Sequence, residues 1–85
     1  MNKISSKATS KVTGYVKTVE RDKSGNAFQV AIETKNFESF IVADNKEGRE
    51  LLENIDKKVR VNGYIAGKHF NGREIIFVKN FQIIE

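Results

Sequence analysis

Eighty-five residues with a net charge of +4 make one domain with a small core. No cysteine is present, so neither a disulfide nor a thiolate metal site can staple it, and no apolar run approaches the length of a membrane span. The basic balance permits an acidic partner such as nucleic acid without requiring one.

Met1 to Ser10 is polar, lacks the apolar stretch of a signal peptide and is expected to fray, leaving residues 11–85 as a single domain. Lys11 to Val19 reads as strand one, with Val12, Gly14 and Val16 inward and Thr13, Tyr15 and Lys17 outward. Ser24-Gly25-Asn26 closes a charged hairpin loop. Ala27 to Thr34 is strand two, with Phe28, Val30 and Ile32 inward, and Lys35-Asn36 is a short turn. Phe37 to Ala43 is strand three; apolar residues on both faces leave its phase open, and Phe40 and Val42 inward is the favoured choice, with Phe37 and Ile41 partly exposed or under a neighbouring element. Asp44 or Asn45 caps a helix over roughly 45–55, Asp44 having Glu47 in capping-box position, with Leu51, Leu52 and Ile55 as the apolar stripe and Gly48 weakening it.

The stretch Lys57 to Gly67 is the organising strand. Val59, Val61, Gly63 and Ile65 alternate with Arg60, Asn62, Tyr64 and Ala66, and Val61-Asn-Gly-Tyr-Ile65 nearly repeats Val12-Thr-Gly-Tyr-Val16. A glycine where a core side chain belongs lets a strand coil or another backbone come close. Two such strands, if paired, close a barrel. Asn71-Gly72 is a strong hairpin dipeptide, and Glu74 to Ile84 is the last strand. Its phase slips: Ile76 and Val78 alternate, then Phe81 and Ile83, with Lys79 and Asn80 between, as a β-bulge inserts; Ile75 and Phe77 inward is the alternative.

Charge is uneven. Residues 44–56 hold five acids and two bases, residues 57–73 five bases and no acid, and residues 1–25 six bases and two acids. Strands one and four as neighbours would make a basic face away from an acidic helix. Three strands, a helix and two strands is the order of the oligonucleotide/oligosaccharide-binding (OB) barrel: an all-β, five-stranded fold with a short helix between strands three and four. An SH3-like barrel is the runner-up, and the helix argues against it.

Val12-x-Gly14-x-Val16, Phe40-x-Val42, Leu51-Leu52, Lys58-Val59-x-Val61-x-Gly63-x-Ile65 and Ile76-x-Val78-x-x-Phe81-x-Ile83 together resemble bacterial OB-fold families related to the tRNA-type anticodon-binding domain. Such families often carry glycine before the fourth strand, where this chain has Asp56-Lys57. The resemblance implies a groove across strands two and three, flanked by loops 21–26 and 67–73.

Single-stranded nucleic acid needs aromatic platforms for bases and cations for phosphates. Phe70 and His69 at the hairpin tip are stacking candidates, as are Tyr15 and Tyr64, which also read as a cross-strand structural pair. Lys17, Arg21, Lys23, Arg60, Lys68 and Arg73 are the phosphate candidates, and Asn26 and Gln29 candidates for base edges. One histidine and no cysteine argue against zinc, no spacing sets a nucleophile beside a base, and neither a cofactor nor an enzyme is expected. The favoured reading is a cytoplasmic binder of single-stranded DNA or RNA. The alternative is a protein-interaction or self-assembly module, motivated by the surplus apolar residues Ile41, Ile75 and Phe77.

Overall fold

Five alternating stretches become five strands, and the pairing of the first with the fourth closes them. The computed structural model describes residues 9–69 and 71–84. Its elements are β1 (Ser10–Arg21), β2 (Ala27–Glu33), β3 (Ser39–Val42), the helix α1 (Lys46–Glu50) running into a 3₁₀ turn (Leu51–Glu53), β4 (Lys58–Lys68) and β5 (Glu74–Ile83). The strands form a closed barrel in the order β1-β2-β3-β5-β4, with β3 and β5 parallel. This is the OB topology. The polar N-terminal segment lies outside the described residues except for Thr9 and Ser10, and Ser10 already pairs opposite Gly63.

β1 is shared by two sheets. Its first half, Ser10 to Tyr15, pairs with β4, and Tyr15 to Arg21 pairs with β2. The glycines in the repeated motif sit where neighbouring backbones come closest. A Cβ on Gly63 would run into the carbonyl oxygen of Phe77, and one on Gly14 into the carbonyl oxygen of Glu33. In each case the obstacle is the backbone of a neighbouring strand, so bare glycine is what lets the strands cross so closely.

The core comprises Val12, Val16, Val30, Ile32, Val42, Leu51, Val59, Val61, Ile76 and Val78, with Phe40, Leu52, Ile55, Ile65 and Phe81 packed around it. Leu51 is wholly buried, contributing about 1.5–3 kcal/mol. Asn45 rather than Asp44 caps α1: its Oδ1 accepts the Gly48 N–H at 3.0 Å while its Nδ2 donates to the Val78 carbonyl at 3.0 Å. Asp44 instead pairs with Arg49. Gly48 is buried because a Cβ there would strike the Ala43 carbonyl oxygen, so the residue that weakens the helix seats it on the barrel. The expected helix over 45–55 is therefore one α-turn followed by a 3₁₀ turn.

The phase slip in β5 is a bulge: Asn62 faces Asn80 while Gly63 faces Val78, leaving Lys79 without a partner position. Ile75 and Phe77 point outward, which decides against the alternative phase. Three expectations about the core fail at the barrel ends. Phe28, expected inward, is 54% exposed, because the β1–β2 register slips there: Gln29 faces Glu20 and Ala27 faces Arg21, leaving Phe28 without a partner position. Ile83, at the other end of the alternation, is 43% exposed. Strand three begins at Ser39, not Phe37, because residues 34–38 form a turn.

Candidate functional site

Alternation along β2 and β3 gives their sheet an outer face of Gln29, Ala31, Glu33, Ser39 and Ile41. Ala31 and Ile41 are buried although neither belongs to the core cluster, so this sheet is covered on both sides. Ile41 stands between Ala31 and Ile75 in the register. Further along β5, Phe77 stacks on Tyr64 across β4, ring centroids 5.1 Å apart and planes 17° from parallel. The apolar surplus of β3 and β5 thus forms a second, outer cluster. Gln29 Oε1 and Ser39 Oγ are buried on this sheet with no hydrogen-bond partner among the described residues.

Two hairpins border the face. In the β1–β2 hairpin, Asp22 Oδ1 accepts the N–H groups of Ser24 and Asn26, both at 2.9 Å, and Arg21 donates to the Gly25 carbonyl at 2.9 Å. Lys23 stands exposed at the tip. In the β4–β5 hairpin the His69 N–H donates to the Arg73 carbonyl, the Gly72 N–H to the His69 carbonyl, and the Arg73 N–H to Asn71 Oδ1. Lys68 faces Glu74 at its base. Phe70 lies outside the described residues.

The remaining candidates are not gathered at one place. Arg60 belongs to the second sheet, where pairing sets Thr13, Arg60 and Gln82 in one row and Lys11, Asn62 and Asn80 in the next. No acidic residue stands in either row. Tyr15 and Tyr64 are not a pair: Tyr15 faces Lys58, and Tyr64 is about 20 Å further along β4, beside Phe77. Lys17 is engaged at 2.9 Å by Asp56, whose hydrogen bond and charge raise the lysine pKa from the ordinary 10.5. Asp56 itself sits at φ 69, a left-handed conformation that favours glycine, and its N–H donates to the Val16 carbonyl.

Phe37, expected partly exposed on strand three, instead stands in the turn before it. It is 97% exposed and has φ 66, a conformation that costs a non-glycine residue about 1–3 kcal/mol. The turn holding it is fully bonded. The Phe37 N–H donates to the Thr34 carbonyl at 3.1 Å and the Thr34 N–H to the Glu38 carbonyl at 2.9 Å. Thr34 Oγ1 accepts from the N–H groups of Asn36 and Glu38, both at 3.2 Å. Beside the ring lies a hollow of about 190 Å³ lined by Glu33, Thr34, Phe37, Glu38, Ser39 and Arg73. A larger open groove, about 810 Å³, runs from the first half of β1 past Phe40 to the other side of the same turn.

Among the described residues no three His, Cys, Asp or Glu side chains are grouped to hold a metal ion, and no helix is long and apolar enough to cross a membrane. No protein-family model matches the chain, and no curated protein matches it either.

Proposed function

We propose that this chain binds single-stranded nucleic acid along the β1–β2–β3 side of the barrel, between its two hairpins. The observation that carries the reading is the placement of basic residues on the hairpins of an OB barrel: Arg21 and Lys23 on β1–β2, Lys68, His69 and Arg73 on β4–β5. The acid-rich segment 44–56 is spent on the helix that packs against the barrel. Phosphates would meet the hairpin cations while bases stack on exposed rings at the rim of that side, Phe37 among them. Lys17 joins this set only by giving up Asp56, and Arg60 serves the opposite sheet. Phe70 stays a proposed stacking residue of the β4–β5 tip.

The test is fluorescence anisotropy of labelled DNA and RNA oligonucleotides of about 15 nucleotides. Binding with a steep loss of affinity between about 50 and 200 mM salt supports the reading. No binding at about 50 mM salt refutes it.

A protein-binding or self-assembling module is the second reading. Its specific support is the exposure of Phe28, Ile83 and Ile84 at the barrel ends. The free-edge version of that idea loses its ground, because the closed barrel leaves β3 and β5 paired with each other. Concentration-dependent sedimentation, with no oligonucleotide binding, would favour this reading.

A further inference from the structure

We infer that the β2–β3 turn and Arg73 form a site for a single nucleobase, stacked on Phe37 and read at its edge by Glu33 and Glu38. This rests on the nucleic-acid reading and adds to it a residue, a location and a base preference. The reasons are independent of each other. A phenylalanine has been placed in the left-handed region and left 97% exposed, although any glycine or asparagine would hold that conformation with less strain. Hydrogen bonds from Asn36, Phe37 and Glu38 to Thr34 and from Thr34 to Glu38 hold the backbone beneath the ring. Ser39, which lines the adjoining hollow, has a buried Oγ with no hydrogen-bond partner among the described residues.

The chemistry of the hollow selects the occupant. Two carboxylates repel a phosphate. A guanidinium from a partner protein would suit the ring and the carboxylates, but Arg73 already supplies that charge in the same hollow. A planar, uncharged base with an amino group satisfies all parts: its face on Phe37, its N–H donors to the carboxylates, and its acceptors toward Arg73 or Ser39. Carboxylates accept from the cytosine amino group, whereas the thymine edge offers a carbonyl at that position. Cytosine is therefore favoured over thymine.

Phe37→Trp tests the site directly, since the chain has no tryptophan. Oligonucleotides of about 15 cytidines or 15 thymidines are titrated while tryptophan emission is followed, with anisotropy of the same labelled oligonucleotides in parallel. The expected result is emission quenching that saturates with the anisotropy curve, tighter binding of the cytidine oligonucleotide, and roughly tenfold or greater loss of its affinity in Phe37→Ala. Glu38→Gln narrows the preference for cytidine. Because Phe37 is exposed, thermal melts of these variants should match the parent and certify the fold. Oligonucleotide binding without quenching, with Phe37→Ala binding as well as the parent, overturns the site and leaves the nucleic-acid reading standing. Equal affinity for the two oligonucleotides also overturns it. Absence of binding by either oligonucleotide overturns the site and the reading together.

Discussion

Replacing Gly63 by alanine probes the close approach of β4 and β5 beside the bulge at Lys79. The added Cβ collides with the Phe77 carbonyl oxygen and lies 3.0 Å from Phe77 C and 3.2 Å from Val78 Cα, all of them backbone atoms that cannot rotate away. Relief requires β4 and β5 to separate by roughly 1 Å where they cross, an overpacking that costs about 1–3 kcal/mol and sometimes more. One or two ladder hydrogen bonds stretched by that movement add about 1 kcal/mol each. Against this, alanine restricts the unfolded chain and returns about 0.4–1 kcal/mol. The net expectation is a loss of about 2–4 kcal/mol. At about 4–8 °C per kcal/mol for a domain of this size, the melting temperature falls by roughly 8–32 °C. Circular dichroism melts read it, with Gly25→Ala as the comparison. Gly25 has φ +87 and open space around it, so that variant suffers only the backbone penalty of about 1–2 kcal/mol. A Gly63→Ala protein melting within about 3 °C of the parent, or above Gly25→Ala, refutes the close crossing of β4 and β5.

Asn45→Ala should cost about 1–2 kcal/mol in urea unfolding, since it removes the α1 cap and the bond to the Val78 carbonyl, while Asp44→Ala, which breaks only an exposed ion pair, should change little. Asp56→Gly should melt at or above the parent and Asp56→Ala below it, because glycine relieves the φ of 69 and alanine relieves nothing while losing the Lys17 partner; the reverse order would dismiss the strain. Asp56 raises the pKa of Lys17, so their pairing contributes stability below the ordinary lysine value of 10.5 and loses it as pH rises through the higher folded value. Lys17→Gln should therefore flatten the alkaline limb of the stability profile slightly, and high salt should do the same to the parent. Phe28→Ser should leave the melt nearly unchanged whereas Ile32→Ala should cost about 2–5 kcal/mol, which separates the exposed member of that alternation from the buried one.

The barrel was legible because its determinants are local. Period-two alternation marks β1, β2 and β4, the doubled glycine motif marks the two strands that share a seam, and the two-residue slip before Phe81 marks the bulge at Lys79. What alternation cannot say is whether anything lies opposite a given side. Phe28 falls where the β1–β2 register slips and Ile83 is the last residue of β5, so the alternation that marks both as inward does not bury them. For Phe37 the phase pointed to partial exposure but not to the turn: as a β-favouring residue it reads as strand, and only the turn built on Thr34 reveals the left-handed backbone. The candidate site was less legible still. Lys17 finds its partner 39 residues away, and Arg60 alternates correctly outward but on the other sheet. Sequence spacing sets which side of a strand a residue takes, whereas closure decides which residues share a surface. The two hairpins, recognisable from Ser24-Gly25-Asn26 and Asn71-Gly72, were the part of the site that turn chemistry did disclose.

Amide chemical shifts of the labelled protein, recorded during titration with a single-stranded oligonucleotide of about 15 nucleotides at about 50 mM salt, test the central claim most directly. The account predicts perturbations at residues 21–29, 34–41 and 68–75, with the helix residues 46–53 and the Thr13–Arg60–Gln82 row unmoved. Shifts confined to that row, or to the helix, would place the binding surface on the wrong side of the barrel. A spectrum unchanged at millimolar oligonucleotide would contradict nucleic-acid binding itself.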